Sequence, residues 1–139
     1  MLPTGQIIFT DFTTDVEVFT PAGIYNPSWA PTITSAPTSP QRGKMYTISG
    51  TQFNGLSQGA AYGDDFQAAT NFPLVRIVNA ATGHVFYCRT HNHSTMAVAT
   101  DGKKVSTHFD VPGNTETGLS QLFVVANGIP SSPVWITVQ

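Results

Sequence analysis

Charge, cysteine and long apolar runs are all scarce in this chain. Of its 139 residues 10% are charged, six Lys plus Arg against eight Asp plus Glu; a soluble domain averages roughly 25%. So small a supply cannot coat the solvent faces of amphipathic helices, which excludes a helix bundle or a coiled coil. No run of Lys or Arg occurs and the formal net charge is −2, so a phosphate backbone finds no electrostatic footprint and nucleic acid is not expected as a partner. The single cysteine, Cys88, cannot form an internal disulfide, and it leaves the compartment open because oxidising compartments permit disulfides without requiring them. No stretch approaches the ~18 apolar residues of a membrane-spanning helix, so no membrane partner is expected either. The N-terminal run up to Phe12 has neither a basic segment nor a long apolar one, and no signal peptide is expected in it.

What the chain has instead is Thr, Ser and Asn with 12 Gly and 10 Pro, set between short β-branched and aromatic runs. A chain of this length folds as one domain without covalent staples. The runs 6–10 and 16–20 flank a polar turn and predict a hairpin. Between residues 21 and 40 five prolines (Pro21, Pro27, Pro31, Pro37, Pro40) fix φ and remove ladder donors, leaving a linker and one edge strand near 32–35. Strand runs then recur at 44–49, 74–78, 84–89, 105–111, 119–126 and 134–138, with 79–83 as a Gly-ended hairpin connection. In 105–111, Val105, Thr107, Phe109 and Val111 alternate with Ser106, His108 and Asp110, the pattern of an antiparallel sheet wet on one side. Val134, Ile136 and Val138 against Trp135 and Thr137 repeat it. These features predict an all-β fold: an immunoglobulin-like β-sandwich of about seven strands over 26–139, preceded by an N-terminal β-hairpin in 1–25. Residues 52–72 lack periodicity and read as one long loop.

The sharpest local feature is Arg89-Thr-His-Asn-His-Ser-Thr-Met96. If the strand continues past Arg89, His91 and His93 face one side at i, i+2 spacing, where two imidazoles can share a Zn or Cu ion. His108, Asp64, Asp65 or Asp101 would supply a third ligand; the competing reading has both histidines bonded to backbone or standing on the wet sheet face. Asp64 and Asp65 offer two carboxylates toward Ca²⁺, which takes six to eight oxygens, or act simply as turn residues bonding nearby amides. Cys88 alternates in step with Phe86 and reads as a small core hydrophobe rather than a nucleophile. Tyr25 and Trp29 in the linker, and Tyr62 and Phe66 in the long loop, are the rings a carbohydrate-binding module would expose, or that pin the linker to the sandwich. The residues identify no catalytic set, and beyond these Zn, Cu or Ca candidates they call for no cofactor.

Three stretches carry a resemblance. Pro31-Thr-Ile-Thr-Ser-Ala-Pro-Thr-Ser-Pro40 followed by Gly43-Lys-Met-Tyr-Thr-Ile-Ser-Gly-Thr-Gln-Phe53 resembles the opening of IPT/TIG-type, early-set immunoglobulin-like domains. Leu2-Pro-Thr-Gly-Gln-Ile-Ile-Phe-Thr10 with Val16-Glu-Val-Phe-Thr-Pro21 looks like the last strand pair of a kelch-type propeller blade. The closing Phe123-Val-Val-Ala-Asn-Gly-Ile-Pro-Ser-Ser-Pro-Val-Trp-Ile-Thr-Val138 is similar to the end of galactose-oxidase-like and bacterial kelch-repeat proteins. The resemblance implies a non-catalytic structural or interaction module, the C-terminal accessory domain of a secreted protein working outside the cell or in the periplasm. Its partner would be a neighbouring propeller or another protein, with a homo-oligomer through the N-terminal hairpin as a further expectation. In copper-radical oxidases of this kind the domain supplies a copper ligand from a Thr-His-x-x-Asn-x-Asp-Gln-Arg motif; the stretch that would correspond, 61–74, contains no His.

Overall fold

Period-two alternation is resolved into strands in the computed structural model, which describes residues 2–11, 13–24, 26–57 and 71–139. The strands are β1 (Ile7–Phe9), β2 (Glu17–Phe19), β3 (Thr32–Ser35), β4 (Met45–Thr51), β5 (Leu74–Asn79), β6 (Val85–His91), β7 (Val105–Asp110), β8 (Gly118–Ala126), β9 (Ile129–Pro130) and β10 (Val134–Val138). β1 and β2 pair as the expected hairpin, and the rest run in the antiparallel order β10-β8-β5-β6-β7-β4-β3, with β9 also on β8. No helix among the described residues is long and apolar enough to cross a membrane.

β6 makes the sheet into a sandwich. Its first half, through Cys88, pairs with β5, and its second half, from Arg89, pairs with β7. One layer is therefore β3-β4-β7 with the end of β6, and the other is the start of β6 with β5, β8 and β10. This is the immunoglobulin-like order, with β6 serving first one sheet and then the other. Ile48, Val105 and Phe109 from the first layer meet Val75, Ile77, Leu122, Val124, Ile136 and Val138 from the second, and none is more than 4% exposed. The alternation expected over 105–111 holds, with Val105, Thr107, Phe109 and Val111 all buried.

Two local devices shape one end of the sandwich. Gly50 lets β4 pass beneath its neighbours, because a Cβ there would run into the Thr32 carbonyl oxygen and the Phe53 ring. Asn127 and Gly128 both have positive φ, 49° and 78°. They form a two-residue turn between the paired residues Ala126 and Ile129, as Asn-Gly does in tight hairpins. That turn creates β9, an element absent from the expected strand list. β6 also runs further than expected, to His91, since β7 supplies it with a pairing partner there.

Candidate functional site

The loops leaving β4 and β6, the turn after β8 and the root of the N-terminal hairpin meet at that same end. Five non-glycine residues with positive φ occur among the described residues, Gln52, Asn92, Ala99, Asp101 and Asn127, and all lie here. Such backbone persists only where surrounding bonds over-determine it, and it concentrates at functional loops.

The bonds come from three asparagines, of which Asn54 and Asn71 are buried and Asn127 is half-buried. Asn54, 5% exposed, donates through Nδ2 to the carbonyls of Thr95 (2.8 Å) and Ala97 (3.1 Å), tying the loop after β4 to the loop after β6. Asn71, 4% exposed, has its Nδ2 3.0 Å from the Asn54 carbonyl, 2.7 Å from the Ser57 carbonyl and 3.1 Å from Asn127 Oδ1. Asn127 Nδ2 donates back to the Ser57 carbonyl at 3.2 Å, and Ala99 N to the Gly55 carbonyl at 2.9 Å. The N-terminal segment crosses the turn so closely that a Cβ on Gly128 would strike Gly5. These three asparagines were not among the expected site residues. Asn-Gly pairs at 54–55 and 127–128 are legible as turns, whereas nothing local marks Asn71 as buried.

The histidines flank this end without forming the expected pair. β6 stops at His91, and Asn92 at φ 51° turns the chain left-handed, so the strand does not carry His93 onto the face of His91. His91 Nε2 donates to Asp110 Oδ1 at 3.1 Å, and its ring stands edge-on to that of its cross-strand partner His108, centroids 5.7 Å apart. His93 turns the other way and stacks on Phe72, with its Nδ1 2.9 Å from Thr107 Oγ1. The Thr107 hydroxyl also sits 3.1 Å from the His91 carbonyl and 3.0 Å from the His108 carbonyl, which only accept. The hydroxyl has one proton for these contacts, and when a carbonyl takes it the His93 ring donates to the hydroxyl oxygen through Nδ1–H. Burial, and then the charge of His91, hold the His93 imidazole below its usual value. Arg89 lies 4.0 Å from Asp110, an exposed pair that contributes little.

Among the described residues no group of three or more His, Cys, Asp or Glu is placed to hold a metal ion. Asp64, Asp65, Tyr25, Tyr62 and Phe66 lie outside the described residues. Asp101 is exposed in the loop before β7. Trp29, 43% exposed, ends a short 3₁₀ turn (Pro27–Trp29) capped by Asn26, and Gln52 Nε2 donates to the Ser28 carbonyl at 3.4 Å, bringing the linker to the same end. Cys88 is buried as expected, and burial, then the charge of Asp110, push its thiol up to about 12. It carries its proton at neutral pH, which a nucleophilic thiol cannot. The sequence also contains Gly55-Leu-Ser-Gln-Gly59, the Gly-x-Ser-x-Gly spacing of a nucleophile elbow, which requires a strand-to-helix turn to present the serine. Ser57 lies six residues past the end of β4 at Thr51, with its carbonyl taken by Asn71 and Asn127, and Gln58 and Gly59 lie outside the described residues. No family model matches the chain, and no curated protein is significantly similar to it.

Proposed function

We propose that this chain is a non-catalytic structural or interaction module that docks through the N-terminal hairpin and the loop end from which it springs. The hairpin carries the reading. Each of its strands has three residues and all six are exposed, among them Ile7, Ile8, Phe9, Val18 and Phe19 at 38–54%. The register puts Ile7, Phe9 and Phe19 on one face and Ile8 with Val18 on the other. Two strands alone are marginal in water, and apolar residues on both faces call for further strands and a cover. The resemblance of this segment to the closing strands of a kelch-type blade makes a neighbouring propeller the natural partner, in a secreted galactose-oxidase-like parent.

In the isolated chain the same unsatisfied edges favour pairing with another copy. Light scattering is expected to detect concentration-dependent association, abolished by a Phe9→Lys/Val18→Lys double variant that charges both faces. Strictly monomeric protein with rapid amide exchange across 6–20 overturns the reading.

A further inference from the structure

The outer face of the β6-β5-β8-β10 sheet is used neither by the loop end nor by the hairpin. Residues alternating with buried Val75, Ile77, Leu122 and Ile136 point outward. The register sets them in rows: Tyr87, Arg76 and Phe123 across β6, β5 and β8, then Val85, Val78, Gln121 and Trp135 across all four strands. Tyr87 is 43% and Trp135 54% exposed, with Val85 and Leu119 about the rim at 49% and 55%. A water-facing sheet face ordinarily carries charge of both signs. These four strands contain no Asp or Glu, and Arg76 is the one charged residue within the rows.

Arg76 is set up for an anion. Its guanidinium carbon lies 4.5 Å from the centroid of the Phe123 ring, which holds the fork by cation–π attraction. Its Nε is buried without an acceptor, and no carboxylate pairs with it among the described residues. A stacked, partly desolvated guanidinium recognises a planar carboxylate far better than a lysine would.

We propose that this face binds an acidic polysaccharide, a ribbon of pyranose rings bearing carboxylates. Arg76 pairs with a uronate carboxylate, Tyr87 and Trp135 stack on sugar rings to either side, and Gln121 and Thr137 bond hydroxyls. Strand and residue spacings put the Tyr87 and Trp135 backbones roughly 16 Å apart, a span for several sugar rings. Size and charge weigh against a protein. The two rows span roughly 15 Å by 7 Å between backbones, far short of the about 800 Å² per partner in a stable protein interface. A second copy laid face to face would bring two Arg76 side chains together in an apolar seam, which is repulsive.

Affinity electrophoresis of the full chain in gels containing polygalacturonate or alginate, with hydroxyethylcellulose as the neutral control, tests this. Retardation by an acidic polymer and not by the neutral one is expected. Arg76→Gln and Trp135→Ala should each weaken it about tenfold or more, with melting temperatures close to the parent's. A Trp29→Phe variant leaves Trp135 the sole tryptophan, so its fluorescence should respond to oligogalacturonate. The Phe9→Lys/Val18→Lys variant should keep the retardation, which separates this result from the fate of the hairpin reading. No retardation, retardation unchanged by both substitutions, or binding to hydroxyethylcellulose alone overturns the proposal. So does Arg76-dependent self-association without polysaccharide binding, which would make the occupant a protein.

Discussion

Replacing Asn71 by alanine removes a donor that ties the loop after β4 to the turn after β8. Asn71 Nδ2 has two protons for three acceptors, the carbonyls of Asn54 and Ser57 and Asn127 Oδ1. Ser57 is exposed, so its carbonyl turns to water at little cost. Asn54 is only 5% exposed, and its stranded carbonyl costs about 1–3 kcal/mol on top of about 1 kcal/mol for the lost bond. The expected loss is therefore about 2–4 kcal/mol, and at about 4 °C per kcal/mol for a domain of this size Tm falls by about 8–16 °C. Calorimetry reads the fall, and amide exchange should speed most at 52–57 and 127–128. Asn71→Asp keeps the shape but turns a carboxylate toward carbonyl oxygens, so it should cost more at neutral pH than at pH 3. A Tm within about 2 °C of the parent, with exchange at 53–55 unchanged, would refute the idea that this asparagine organises the loop end.

Two further outcomes follow from the titrating groups. His93 is held below 6.5 in the folded chain, so the unfolded chain takes a proton first as pH falls. Its contribution is present above 6.5 and is lost as pH drops through the folded value. Amide protection over 92–104, taken relative to the intrinsic rate at each pH, should therefore fall between pH 7.5 and pH 5.5, and His93→Gln should remove most of that fall; an equal fall in the variant refutes the assignment. Cys88, buried with its thiol up to about 12, should resist a thiol reagent at pH 8 in the native protein and react fully in denaturant. Prompt native reaction would mean that the sandwich opens at β6.

Some of the architecture was legible because burial alternation is a property of a few consecutive residues. β3 and β10 fall at the expected 32–35 and 134–138, since each pattern is bounded by prolines or turn residues that cannot join the ladder. The histidine pair was not legible in the same way. The i, i+2 rule presumes extended backbone through Asn92, and its φ of 51° breaks that premise. β6 continues to His91 for a non-local reason: β7 pairs with its end, and Thr90 Oγ1 donates to the Pro73 carbonyl at 2.6 Å.

The aromatic rings show the same division. Rings in the linker and long loop stood out because their surroundings are polar, whereas Tyr87, Phe123 and Trp135 sit in runs that read simply as strand. By itself the sequence determined that this protein is all-β, poor in charge, divided into a hairpin and a sandwich, and equipped with wet outer strand faces. Only the tertiary structure decided which wet positions share a face. The partners of β5 are β6 and β8, and it is their register that lays Arg76 between Tyr87 and Phe123. Likewise three asparagines distant in sequence become one network where the loops converge, because a buried amide finds its acceptors by chain topology rather than by sequence spacing.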